Sequence, residues 1–168
     1  MNVSIEVDDR HIQKTTGVIN IADSYYYCLS NFSAHKVLFN GRDYLSSEHA
    51  YQASKFIGSN KDESHVAWSK ILNAESAYLA KKYAHEYQDY YCEELKIPNF
   101  KIDLMYNILL AKVNRHDDVR EALLVTRDKT IIEFTYSDSF WGQTHTGKGE
   151  NWLGRLWMQI RGEIRTSL

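Results

Sequence analysis

Tyr44-Leu45-Ser46-Ser47-Glu48-His49-Ala50-Tyr51-Gln52-Ala53-Ser54-Lys55-Phe56 joins a helix-start signal to a row of reactive side chains. A serine at 46 or 47 can accept from the unpaired N–H groups of a helix that runs to about Phe56 or Ile57. On that helix Glu48, Gln52 and Lys55 share one face, while His49, Ala53, Phe56 and Ile57 share another. A carboxylate, an amide and an amine therefore point the same way. Two readings stay open here. Either Glu48 complements the helix dipole, worth about 0.3–1 kcal/mol, with Lys55 a solvated cation at the helix end, or the three groups belong to a site.

Immediately upstream, Lys36-Val37-Leu38-Phe39 and Arg42-Asp43-Tyr44-Leu45 flank Asn40-Gly41, a strong signal for a two-residue hairpin turn. The hairpin feeds straight into the Glu48 helix, so the carboxylate sits on a rigid element rather than a mobile loop. Before it, the aromatic run Tyr25-Tyr26-Tyr27 passes into Leu29-Ser30-Asn31-Phe32, which reads as a strand end or a pocket edge. Downstream, Asn60-Lys61-Asp62-Glu63 has capping-box form ahead of Val66, Ala67, Ile71 and Leu72 at helical spacing. A further helix is expected from about Glu75 to Tyr87, then a connection from Cys92 to Pro98.

Asn99 can cap a long helix whose apolar face is Ile102, Met105, Ile108, Leu109 and Ala111. Asp117 or Asp118 starts another, with Val119, Ala122, Leu123 and Val125 turned inward. Thr130 to Phe134 reads as a strand because β-branched residues recur there.

A second unusual stretch, Asp138 to Gly154, runs from that strand into a final amphipathic helix with Leu153, Leu156, Trp157, Ile160 and Ile164 on its buried side. Gly147-Lys148-Gly149 near a helix start offers bare N–H groups and one ammonium to an anion, or is simply a loop needing positive φ. It is not a Walker A sequence, so nucleoside-triphosphate chemistry is not supported. Trp141 either stacks on a heterocycle or plugs the core.

Composition narrows the classes. At 168 residues the chain fits a single domain, 1–168, with residues 1–20 a peripheral arm or one short strand. A net charge of −2 without a long basic run argues against an affinity built on many nucleic-acid phosphates. Cys28 and Cys92 form no CxxC pattern, and the seven histidines never fall into HxxxH spacing, so free thiols and no metal are expected. Met1 to Asn20 lacks the pattern of a secretion signal and no apolar run approaches membrane length, which leads to a cytoplasmic expectation with no membrane partner.

Four pieces in order, Leu29-Ser30-Asn31-Phe32, Ser47 to Phe56, Asp138-Ser139-Phe140-Trp141-Gly142 and Gly147 to Gly154 with Met158, resemble the YbiA-like, or NADAR, family of N-glycosidases. The resemblance runs from about Tyr27 to Ile164. It implies a single α+β domain, mainly helical with a short β-hairpin and a few small strands. It also implies hydrolysis, without a cofactor, of the C1′–N bond in a phosphoribosylamino-pyrimidine of riboflavin synthesis or an ADP-ribosylated guanine. The partner implied is thus a small phosphorylated riboside, or nucleic acid only if ADP-ribosylated guanine in DNA is the substrate. Carried over residue by residue, Glu48, Asp138 and Trp141 are catalytic, with Asn31, Lys55, Gly147, Lys148, Gly149 and Asn151 around the ligand. Gln52 joins that set from the shared helix face. Where family members carry an aspartate after Trp-Gly, this chain has Gln143. A non-catalytic module binding a NAD-derived or ADP-ribose-derived nucleotide is the alternative.

Overall fold

The computed structural model describes residues 17–167, so most of the expected N-terminal arm lies outside the described residues. The end of that arm, Val18–Asn20, is strand β1, paired in parallel with β4, Thr130–Ile132. Phe134, expected to extend β4, instead makes an isolated parallel bridge with Gln143. The hairpin forms where Asn40-Gly41 placed it. Strands β2, Val37–Phe39, and β3, Arg42–Tyr44, pair antiparallel with Phe39 opposite Arg42, and both turn residues take positive φ.

The hairpin delivers the chain to α1, Ser47–Ser54, whose N-cap is Ser46: its Oγ accepts from the His49 N–H at 3.3 Å. The helix ends earlier than its sequence suggests, because Lys55 and Phe56 bond back three residues in a tightened last turn. All eight residues of α1 are buried. It is packed by α2, Ser64–Leu72, by α3, Ala77–Glu86, by α4, Phe100–Arg115, and by the hairpin. His49 fits this interior position as a neutral ring, bonded to Ser46 Oγ at 2.8 Å and the Ala74 carbonyl at 3.0 Å, with burial lowering its pKa.

Two caps differ from expectation. Asn60 does not start α2; Glu63 occupies the N-cap position with no side-chain bond, and Val66 faces outward. Asn99 does precede α4, but in a left-handed conformation that turns its side chain away from capping. Ser76 caps α3 through the Leu79 N–H.

Met105, Ile108 and Leu109 of α4, Val119 and Leu123 of α5, Asp117–Val125, and the expected stripe of α6, Trp152–Thr166, complete one core, and Ala122 of α5 is buried as well. Trp157 of α6 is fully buried and donates from Nε1 to the Leu29 carbonyl at 2.8 Å, so the last helix fixes the turn before Asn31. The result is the single, mostly helical α+β domain expected, with two two-stranded sheets at its edge.

Candidate active site

One wall of a cleft of about 150 Å³ is the face of α1 that carries Glu48, Tyr51, Gln52 and Lys55. Glu133, Asp138, Trp141 and Gly142 line the same cleft, as do Asn31 and Lys81. The two distant segments singled out in the sequence thus meet across a hollow.

Glu48 is buried, its N–H donates to the Asn31 carbonyl at 3.0 Å, and Gln52 Nε2 donates to its Oε1 at 2.7 Å. Burial pushes the Glu48 pKa up, against the Gln52 bond and the charges of Lys81 and Lys55, while Asp138 adds to the rise. Lys55 lies 4.7 Å from the Tyr51 ring centroid and 5.1 Å from that of Tyr91. Burial lowers it to about 8, with Glu48 opposing and Lys81 and Lys101 reinforcing the fall.

Asp138 uses Oδ1 to accept from the N–H groups of Phe140 and Trp141, at 3.3 and 3.0 Å, and so shapes the turn that presents Trp141. Its Oδ2 stands 3.9 Å from Lys81 Nζ. Trp141 meets the Tyr51 ring edge-on at 5.4 Å. Three buried acceptors on the cleft wall, Asn31 Oδ1, Gln52 Oε1 and Glu133 Oε2, have no protein partner. Buried acceptors are ordinarily bonded, and these three gather about the one cleft.

The structure does not bring Gly147, Lys148, Gly149 or Asn151 to the cleft wall. Gly147 N–H donates to Thr144 O at 3.0 Å, Lys148 N–H to Thr144 Oγ1 at 3.2 Å, and Thr144 N–H to Lys148 O at 2.8 Å, which closes the loop on itself. Helix α6 starts only at Trp152, and the N–H groups of Trp152 and Leu153 already donate to the carbonyls of Phe140 and Trp141. No open helix end faces an anion there.

Two glycines of this segment serve packing, whereas Gly147 answers only to its positive φ, with no atom within 4 Å of an added Cβ. A Cβ on Gly149 would lie 2.4 Å from Gly142 O, and one on Gly154 2.1 Å from Ile131 O. Asn151 spends its side chain on β4, donating to Ile131 O at 2.9 Å and accepting from the Glu133 N–H at 3.0 Å. Gln143 likewise acts through its backbone, clasping Glu133 O and the Thr135 N–H.

Several cleft residues were not foreseen, Tyr51, Thr135 and Ser137 among them, and two of the unforeseen residues carry charge, Lys81 and Glu133. Lys81 sits beside Lys82 on an ordinary amphipathic helix, and Glu133 comes just after a short strand; nothing local distinguishes either. Among the described residues no cluster of His, Cys, Asp and Glu could hold a metal, and no helix is long and apolar enough to cross a membrane.

Fold and cleft together define a small α+β domain with a buried glutamate, paired lysines and an aromatic wall. The model of the NADAR domain matches residues 19–165, and the chain belongs to that family. An N-glycosidase of Nostoc punctiforme is 34% identical over 152 residues, covering 85% of this chain and 88% of that protein. The N-glycosidase YbiA of Escherichia coli is 29% identical over 157 residues, 92% of each chain. Its NMR structure superposes with a TM-score of 0.75 over 93% of this chain and 90% of that one. The chloroplastic riboflavin biosynthesis protein PYRR of Zea mays is 34% identical over 143 residues, which is 80% of this chain but 23% of that longer protein.

Proposed function

We propose that the cleft hydrolyses the C1′–N bond of a phosphoribosylated or ADP-ribosylated heterocycle, of the phosphoribosylamino-pyrimidine or ADP-ribosyl-guanine type. The chain is an N-glycosidase of the NADAR family, consistent with relatives of that name at about 30% identity over most of its length. The observation that supports the finer reading is the convergence on one cleft of buried Glu48 with Asn31 and Gln52, each of which has a side-chain oxygen that no protein group meets. A ribosyl unit offers the hydroxyl donors those acceptors lack once the two amides turn toward it.

As the bond breaks, C1′ gains positive charge, much as in glycoside hydrolysis. Glu48 stabilises that charge and orients the attacking water. Asp138 Oδ2, free of the turn that occupies Oδ1, holds a ribose hydroxyl. Trp141 walls the heterocycle. Lys81 at the rim and Lys55 within replace Lys148 as cations for the phosphate, because they line the cleft and it does not. Binding a non-reacting phosphate there supplies orientation.

The test is Glu48→Gln, which keeps the shape and the interior position. Release of free base from a 5-phosphoribosylamino-pyrimidine or from ADP-ribosylated guanosine should fall by at least about a hundredfold with the fold intact. Full turnover in that variant overturns the mechanism.

A further inference from the structure

Glu133 is the carboxylate the mechanism leaves unused, yet its backbone is firmly placed. Its N–H donates to Asn151 Oδ1 at 3.0 Å and its carbonyl accepts from the Gln143 N–H at 2.9 Å, so the backbone is held from both sides. Room for the side chain is made by Gly142, where a Cβ would lie 2.4 Å from Glu133 O and 3.2 Å from Glu133 Cγ. The carboxyl then enters the cleft beside Glu48 and Asp138, with Oε2 buried and unpartnered.

The surroundings of the two glutamates divide the labour. Glu48 accepts a hydrogen bond from Gln52 and has both Lys55 and Lys81 to favour its charged form. Glu133 faces Asp138 and Glu48, which oppose its charge, and only Lys81 favours it. Burial and those two carboxylates push its pKa up to about 7. Burial and Asp138 raise Glu48 as well, but it has a hydrogen-bond donor and two cations about its carboxylate, whereas Glu133 has two carboxylates and a single cation about it, so Glu133 is the one placed to hold a proton to give.

We propose that Glu133 is the general acid that protonates the departing nitrogen of the N-glycosidic bond. This rests on the N-glycosidase reading of the same cleft. The C1′–N electron pair leaves with the nitrogen, which takes the Glu133 proton. A water oxygen bonds to C1′ and its proton passes to the Glu48 carboxylate, so one carboxyl loses the proton that the other gains. No oxidant, reductant or further reactant enters, and exchange with solvent restores both groups. An amine departing as an anion is a poor leaving group, which is why such a bond needs an acid.

The experiment is the pH profile of kcat for the full chain on a 5-phosphoribosylamino-pyrimidine, with Glu133→Gln and Glu48→Gln in parallel. The wild type should lose activity on the alkaline side near pH 7. Glu133→Gln should lower kcat on the order of 10²–10⁴-fold with KM little changed, and should abolish that limb. A limb near pH 8 from Lys55 survives in the variant. Glu133→Asp, which keeps a proton to give from a shorter arm, should turn over slowly yet retain the limb near 7, and it serves if the glutamine variant fails to fold. An active wild type, a dead Glu48→Gln and a Glu133→Gln with unchanged profile would overturn the acid role alone. A wild type that frees no base from this substrate or from ADP-ribosylated guanosine would overturn the substrate reading and the acid role with it.

Discussion

Asn151→Ala separates a structural asparagine from a ligand-binding one. The wild-type side chain satisfies two main-chain groups of neighbouring residues, the Ile131 carbonyl and the Glu133 N–H. Leaving a buried polar group unpaired costs about 1–3 kcal/mol, so the pair is worth about 2–6 kcal/mol. Water can reach the half-buried Glu133, which favours the lower part of that range. Alanine at φ +52° adds about 1 kcal/mol, because its Cβ crowds the following carbonyl in the left-handed region.

Destabilisation of about 3–5 kcal/mol is therefore expected for the alanine variant, and about 1 kcal/mol less for Asn151→Gly, which tolerates the backbone. Urea unfolding reads this as a lower midpoint at unchanged slope. Activity per folded molecule should fall as well, since Glu133 loses its anchor. A midpoint shift below about 1 kcal/mol together with a raised KM would refute the reasoning and return Asn151 to the ligand.

Gly149→Ala places a Cβ 2.4 Å from Gly142 O at φ +123°, so it should cost at least about 1–3 kcal/mol and lower kcat/KM by displacing the cleft wall; an unchanged melting temperature speaks against that packing role. Between pH 5 and 7 stability should fall as pH rises, because Glu133, raised to about 7, and Glu48, also raised, bind more protons folded than unfolded and together outweigh His49, whose lowered pKa acts in the opposite direction. Above pH 7 stability should recover, because Lys112 and Lys55, lowered to about 7 and about 8, bind fewer protons folded than unfolded. Each group contributes a slope of at most about 1.4 kcal/mol per pH unit, and denaturation curves that rise steadily from pH 5 to 7 would contradict the assignment. Lys112→Met should erase much of the alkaline recovery and also loosen the turn at Ser30, whose carbonyl the ammonium holds at 2.8 Å; a variant with wild-type pH dependence would show that the recovery has another source.

Much of the scaffold was legible because it obeys local rules. Asn40-Gly41 specifies its own backbone, Ser46 caps the helix that starts beside it, and the stripe of α6 announces its buried side. The Glu48, Gln52 and Lys55 face was legible for the same reason, since helical spacing alone aligns it. Glycines were harder to read. Gly147-Lys148-Gly149 carries the composition of an anion cradle, but whether a bare N–H meets a phosphate or a glycine meets another backbone depends on chain segments that local sequence does not reveal. Lys112 was hidden by its type. A lysine on an amphipathic helix is expected in water, yet here its Nζ donates to Ser30 O and Ser33 Oγ, contacts made across some eighty residues of chain. Glu133 and Lys81 were missed because their importance lies wholly in what folds up against them.

Helix α1 has no outer side. The rod that bears Glu48 is also the keel of the core, touched by three helices and the hairpin at once. Drift toward a new substrate has little freedom along that rod, where any change of volume is felt throughout the interior. Change is easier at an exposed position of the cleft lining such as Ser137, while the helix beneath it stays as it is.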